Sequence, residues 1–227
     1  MENQAPRDSL AEQKKALRRG IRHRLKELNP EYLLHAGLAS AARLEEHPYW
    51  QKALAVLLYA SLPTEIDTAP LFRLARQRGK KVFFPRIVGE DIQFFQVDDE
   101  TDLEIQSPLR IPEPRTSLVS LSDWLMGLAG QKAELAPPDA GSRTREEVPI
   151  CGIIPGLAFD RQGGRLGKGK GYYDRFLSSI GKTVLVYPPS YPSMSLYTIG
   201  LCLPEQLVDQ VPRDLSDMLV DEVILVP

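Results

Sequence analysis

Cysteine, histidine and tryptophan are scarce in this chain. Its 227 residues include two cysteines, three histidines and two tryptophans. Cys151 and Cys202 each sit in an apolar run without a pairing pattern, so no disulfide framework is expected. Both are read as buried free thiols of a reducing compartment. His23, His35 and His47 show no Cys/His ligand spacing, which argues against a structural zinc site. No run of about 18 apolar residues is present, so no membrane-spanning helix is expected. The N-terminal stretch lacks an apolar signal segment, and Glu2, Asp8 and Glu12 do not suit a transit peptide. A cytoplasmic protein with no membrane partner is the expectation. Neither charge sign dominates: 28 Lys and Arg stand against 30 Asp and Glu, a formal net charge of −2. That balance removes any general argument for a nucleic-acid partner and leaves anion binding to local clusters. No Ser-His-Asp or Cys nucleophile stands out, and no internal repeat is visible.

What is present is ordinary in bulk and unusual in one place. Apolar residues make up 43% and charged residues 26%, as in soluble globular domains. A single α/β domain over 10–227 is expected, in three layers, with a mostly parallel central sheet flanked by helices. Residues 1–9 read as a mobile tail and 115–147 as a surface insertion of weak signal, with 137–147 disordered. Ser9 and Glu12 form a capping-box pattern before a helix from Leu10 to about Leu28. Leu17, Ile21, Leu25 and Leu28 give that helix an apolar stripe, and Lys14, Arg18 and Arg22 form a basic ridge beside it. A second helix is expected over about 30–46, ending before His47-Pro48. ALAVLLYA (53–60) reads as a buried strand, followed by a loop, a helix over about 69–79 closed by Gly79, and a strand over 81–85. This βαβ unit places Glu65 at the carboxyl end of a strand, where open α/β sheets bind ligands. Further strands are expected at 91–97, near the sheet edge, and at 182–187, 197–203 and 222–226. Residues 107–114 are proline-rich and expected to be extended.

The unusual place is GGRLGKGKG (163–171), with five glycines in nine residues and three cations, Arg165, Lys168 and Lys170. It follows the apolar run 150–159 and precedes a helix beginning at Tyr172. Such a segment suits neither a strand nor a helix interior. It can curl around an anion, offering N–H groups, cations and a helix N-terminus together. Gly164-x4-Gly169-Lys170 resembles a P-loop, but Gly171 stands where a magnesium-binding Ser or Thr would be needed. The G-x-G-x-G spacing of 167, 169 and 171 does not make a dinucleotide fingerprint either. Asp174, in the first helical turn, can complement the helix dipole or hold magnesium beside bound phosphates.

Residues 155–176, PGLAFDRQGGRLGKGKGYYDRF, resemble the signature of the 5-formyltetrahydrofolate cyclo-ligase family, also called methenyltetrahydrofolate synthetases. KKALR (14–18) is similar to the family's N-terminal ATP-contacting segment, and LPTEIDT (62–68) to its folate-contacting loop. EQLVDQVP (205–212), followed by Asp217 and Asp221, resembles its C-terminal pattern. The resemblance implies an α/β enzyme, expected as a monomer, that uses ATP and Mg²⁺ to convert 5-formyltetrahydrofolate to 5,10-methenyltetrahydrofolate, releasing ADP and phosphate. It further implies ATP contacts from Lys14, Lys15, Ala16, Leu17 and Arg18, and from the run Arg165, Leu166, Gly167, Lys168, Gly169, Lys170, Gly171, Tyr172 and Tyr173. Folate contacts are implied for Ala60, Glu65 and the strip from Lys168 through Tyr172. Lys170, Arg165 and Tyr172 would act in catalysis, and Asp174 and Asp217 would hold the metal. Two other readings compete at this level: a non-catalytic nucleotide- or RNA-binding protein, and a small-molecule kinase. Glu65, Asp174 and Asp217 disfavour the first by repelling a polyanion, and the missing Ser/Thr after Lys170 disfavours the second.

Overall fold

A computed structural model describes residues 9–105, 111–134, 147–183 and 193–227. The expected tail at 1–9 (except Ser9), the stretch 137–147 expected to be disordered (except Glu147) and residues 107–110 of the proline-rich segment 107–114 lie outside them. Helix α1 (Leu10–Lys26) begins at the expected capping box: Ser9 Oγ accepts the Glu12 N–H, and the Glu12 carboxylate accepts the Ser9 N–H. Ile21 and Leu25 are buried, and Leu17 and Leu28 pack against the same core. Helix α2 (Pro30–Glu45) is capped by Asn29. The sequence reading placed nothing helical after His47, yet Pro48 opens a short helix, α3 (Pro48–Lys52). Proline suits a first turn, where its missing N–H would have had no partner, and Trp50 anchors the turn in the core.

The remaining helices are α4 (Ala69–Gln77), α5 (Leu121–Glu134) and α6 (Tyr172–Thr183). The strands are β1 (Ala55–Leu57), β2 (Lys81–Val88), β3 (Asp91–Gln96), β4 (Leu103–Glu104), β5 (Glu113–Pro114), β6 (Glu147–Ile153), β7 (Ala158–Phe159), β8 (Arg165–Leu166), β9 (Ser193–Cys202) and β10 (Glu222–Leu225). Six of them form one sheet in the order β10-β9-β6-β1-β2-β3, parallel throughout except for the antiparallel edge pair β2/β3. Strands β4/β5 and β7/β8 form two small antiparallel ribbons.

Because strand side chains alternate between faces, each strand feeds two cores. Val56, Val82, Phe84, Cys151 and Ile199 pack with α1, α2, α3 and α4 on one face. Ala55, Leu57, Phe83 and Ile150 pack with α5 and α6 on the other. These are the three layers expected. Cys151 and Cys202 are buried and free, and among the described residues no helix is long and apolar enough to cross a membrane.

Several boundaries differ from the sequence reading for identifiable reasons. Strand β2 runs through Pro85 to Val88, past the expected end. Phe83 turns its carbonyl toward Leu58, so alternate residues of β2 direct backbone groups to the β1 side. At Pro85 that neighbour has ended, so the missing N–H is not needed. The run 150–159 is broken at Pro155-Gly156 into β6 and β7. Lys182 and Thr183, expected to open a strand, end α6; residues 184–187 lie outside the described set. Within the expected insertion, residues 121–134 form α5, whose Trp124, Leu125 and Leu128 cover the sheet.

Candidate active site

The sheet order locates the site. From β1 the chain crosses through α4 to β2 on one side, whereas from β6 it crosses through α6 to β9 on the other. β1 and β6 are adjacent and parallel, with Leu57 opposite Gly152. The crossovers diverge there, which opens a crevice beyond the strands' carboxyl ends. The loop after β1 brings Tyr59, Ala60 and Glu65 to that crevice, and the segment after β6 brings the glycine-rich loop.

That loop is shorter than the nine residues suggest. Arg165 and Leu166 are not loop but strand β8, paired with Phe159 and Ala158. They are the two residues of the stretch without a neighbouring need for glycine geometry, and both side chains are buried. Gly163 and Gly164 form the hairpin turn. Asp160 holds it, accepting the N–H groups of Gln162 (2.9 Å), Gly164 (2.8 Å) and, from the C-terminal segment, Val211 (2.9 Å). A Cβ on Gly164 would lie 2.1 Å from the Asp160 carboxylate, so the turn excludes any side chain. The curved segment proper is Gly167–Gly171, with Gly169 at φ 105° and Gly171 at φ 69°, conformations that favour glycine.

Helix α1 fixes this segment from outside. Arg18 Nε donates to Gly167 O at 3.0 Å, and Arg22 donates to Lys168 O at 3.2 Å. Arg175 donates to Lys170 O, and its backbone N–H to Gly171 O. Four of the segment's five carbonyls, those of Gly167, Lys168, Lys170 and Gly171, are thus engaged. Among the described residues, no backbone N–H from Gly167 to Gly171 has a protein acceptor. Unspent N–H groups next to the free N-terminus of α6 make a concave donor surface for an anion.

Opposite charges meet around the loop. Arg165, its side chain 2% exposed, donates to Asp174 Oδ1 at 2.5 Å and to Pro155 O at 3.3 Å, while its Nε has no acceptor. Asp174 Oδ1 also accepts the Met218 N–H at 3.1 Å, which ties the C-terminal turn to α6. In that turn Asp217 Oδ2 accepts from Lys14 (2.5 Å) and from the Asp214 N–H (2.7 Å). Lys168 lies 2.6 Å from Glu65 Oε1 as an ion pair without hydrogen-bond alignment, and Glu65 Oε2 accepts the Leu62 N–H at 2.9 Å. Lys170 makes no ion pair or hydrogen bond through its side chain among the described residues. Among the described residues, Asp174 and Asp217 each keep one oxygen free of protein donors. No group of three or more His, Cys, Asp or Glu able to hold a metal occurs among the described residues. Two carboxylates with spare oxygens fit a magnesium ion, which takes few protein ligands and completes its shell with water and phosphate.

The inner wall of the loop closes a cavity of about 390 Å³. Its sides are largely apolar, including Leu62, Ile87, Ile92 and Ile111, with Tyr59, Tyr172 and Tyr173 around them. Burial, reinforced by Glu65, raises the Tyr59 and Tyr173 hydroxyls well above the ordinary tyrosine range, and Arg165 opposes the shift at Tyr173. Both are neutral donors at physiological pH.

The predicted residues divide accordingly. Ala60, Glu65, Arg165, Gly167, Lys168, Lys170, Gly171 and the run Tyr172–Asp174 all line the cavity. Lys14 and Arg18 touch the site from the other side of the loop, and Gly169 lies against the Arg18 guanidinium, 3.6 Å from where its Cβ would be. Lys15 and Ala16 are exposed on α1 with no bond to the loop, and Leu17 and Leu166 point into the core. Sequence reasoning missed Asp160, Gln206 and Glu113. Gln206 donates to Gly156 O at 2.9 Å and so secures the turn after β6. Glu113 lines the cavity while only 7% exposed. An acid between prolines in a weak stretch gave no periodic signal for it.

Comparison with known proteins gives a consistent family. The sequence model of the 5-formyltetrahydrofolate cyclo-ligase family matches residues 10–226. The 5-formyltetrahydrofolate cyclo-ligase of Mus musculus is 28% identical over 215 residues, 93% of this chain and 92% of the mouse protein. A probable 5-formyltetrahydrofolate cyclo-ligase of Caenorhabditis elegans is 30% identical over 217 residues, 95% and 94% of the two chains. The solved structure of Aquifex aeolicus 5,10-methenyltetrahydrofolate synthetase superposes with a TM-score of 0.63 at 26% identity, covering 93% of this chain and 89% of that one.

Proposed function

The chain belongs to the 5-formyltetrahydrofolate cyclo-ligase family, and from that premise we propose that it is a methenyltetrahydrofolate synthetase driven by ATP and magnesium. One observation carries the reading to these residues: the glycine segment is a common wall, with the cations of α1 on one side and the apolar cavity on the other. A phosphate donor and an apolar heterocycle held on either side of it would meet at the loop.

The reaction needs little covalent help. The formyl oxygen of 5-formyltetrahydrofolate attacks the γ-phosphorus of ATP, forming a P–O bond as the bond to ADP breaks. The substrate's N10 then attacks the activated carbon, loses its proton and expels phosphate, closing the five-membered ring of 5,10-methenyltetrahydrofolate. Catalysis is therefore positioning and charge stabilisation. Lys170, with no ionic partner among the described residues, and the N–H groups of 167–171 would receive the transferring phosphoryl group. Arg165 is held by Asp174 and Pro155 and would meet charge developing at the formyl oxygen from the cavity side. Lys14 and Arg18 would hold the remaining phosphates. Tyr172 would help to fix the ring, and Glu65 with Ala60 would border the folate. Asp174 and Asp217 would hold Mg²⁺, which neutralises phosphate charge when bound. The apolar walls would keep water from the phosphorylated formyl group.

The test is direct. Purified protein with 5-formyltetrahydrofolate, ATP and Mg²⁺ should generate the methenyl chromophore, and omission of ATP or chelation of the metal should abolish it. Folded protein giving no chromophore would sink the reading, and ADP formation with the phosphoryl group kept on an acceptor, without methenyl product, would favour a kinase.

A further inference from the structure

The cavity holds one charged group that the proposed chemistry does not use. Glu113 stands on β5, which pairs with β4 and is clamped to β2 by Arg86, whose guanidinium donates to Pro114 O at 2.6 Å. The clamp fixes the backbone next to Glu113 but leaves its carboxylate alone. Among the described residues, no hydrogen-bond donor or cation reaches that carboxylate, although Glu113 is 7% exposed and lines the cavity. The other acids of the cavity are engaged: Asp174 by Arg165, and Glu65 by Lys168 and the Leu62 N–H. Unlike Glu65 Oε1, the Glu113 oxygens are not fully enclosed; they open on the cavity, where a ligand can supply the donors that the apolar wall cannot.

The donor must suit an apolar slot lined by Ile87, Ile92, Ile111 and Pro112. A flat heterocycle with adjacent ring N–H and exocyclic amino groups does so, since two parallel donors match both oxygens of a carboxylate. The aminopyrimidinone edge of a reduced pterin has that pattern. Resting on the proposed function, we propose that Glu113 is a specificity-determining residue of the folate site, its carboxylate accepting the paired N–H donors of the substrate's ring. Glu65, on the opposite loop beside Lys168, then borders the reacting end.

Equilibrium binding by calorimetry would test this with wild type, Glu113→Gln and Glu113→Asp. The ligands are 5-formyltetrahydrofolate, a tetrahydropterin lacking the tail, p-aminobenzoylglutamate lacking the ring, and ATP. Glu113→Gln should weaken both ring-bearing ligands about tenfold to a hundredfold, as expected for a lost charge-assisted pair. Tail and ATP affinities should be unchanged. KM for 5-formyltetrahydrofolate should rise by the same factor while kcat changes less than about threefold, because the lost contact is uniform binding. The melting temperature should stay within about 2 °C of wild type, since among the described residues the carboxylate has no hydrogen bond or ion pair to lose. Glu113→Asp keeps the charge but withdraws it by one methylene, and should show an intermediate loss. Failure of wild type itself to bind 5-formyltetrahydrofolate would overturn the underlying reading. Normal wild-type binding with unchanged ring affinity in Glu113→Gln would overturn the Glu113 assignment alone. So would a loss of ATP affinity in place of ring affinity, or failure of both variants to fold, which would mark Glu113 as structural.

Discussion

The two sides of the glycine segment solve opposite electrostatic problems. On the α1 side, cations and acids are matched before any ligand arrives, with Lys14 against Asp217 and Arg22 and Arg18 against loop carbonyls. On the cavity side apolar walls dominate: among the described residues the Glu113 carboxylate has no donor, one Glu65 oxygen is reached by Lys168 alone, and two tyrosines are held neutral. A matched polar surface tolerates water and suits exchange of a charged co-substrate. An unmatched buried one is satisfied only by the right ligand, so it suits discrimination. Arg165 and Lys170 sit where the two meet, one buried and paired, the other exposed and, among the described residues, unpaired.

That difference gives the largest predicted effects. Arg165→Ala should lose turnover and also about 1.5–3 kcal/mol of stability, because it removes a buried guanidinium and the charge-assisted bond to Asp174, which then keeps the Met218 N–H. Lys170→Ala should lose turnover by about a hundredfold to a thousandfold, the usual cost of one donor to a developing charge, with no change in the denaturation midpoint. Urea melts and chromophore assays on both variants check this. Equal stability losses would erase the distinction between the two residues.

The distinction was only half legible in the sequence. Local rules carry far: the capping box, the stripe Ile21–Leu25, Gly79 after α4 and the edge position of β3 all lie where periodicity puts them. The ridge Lys14, Arg18 and Arg22 was visible as spacing, and the structure brings all three to the loop or the C-terminal turn. What could not be read was anything dependent on long-range closure. Asp160 looks like one acid in a turn, yet it joins the hairpin to Val211, 51 residues away. Glu113 is buried because β5 folds back on β4 and against β2, which no local pattern announces. Helix α5 was legible and overlooked: Leu121, Trp124, Leu125 and Leu128 have i, i+3, i+4, i+7 spacing, masked by Gly127 and Gly130.

Salt should separate the two sides more gently. Lys170 is exposed, so its attraction for phosphates is screened at a Debye length of about 3 Å in 1 M salt against about 10 Å at 0.1 M. Raising NaCl from about 0.1 to 0.5 M should weaken ATP several-fold and tetrahydropterin by less than about twofold, whose contacts are desolvated. Calorimetry in both buffers decides it. Equal sensitivity would mean that the cavity carboxylates remain hydrated and that burial does not organise the ring side.

Alkaline pH should give the smallest effect, confined to the cavity. Tyr59 and Tyr173 are raised above the ordinary tyrosine value near 10, mainly by burial and then by Glu65. The folded protein therefore keeps these protons at a pH where the unfolded chain has released them. Their contribution to stability is complete below about pH 10 and is lost progressively as pH rises above it toward the folded values. Between about pH 10 and 12, Tyr59→Phe should have a shallower fall in urea midpoint than wild type, because it has no phenol to ionise. At pH 8 the two curves should run parallel, offset by any packing change. An unaltered alkaline slope would place the Tyr59 hydroxyl in contact with water, and with it the wall of the cavity that faces Glu65.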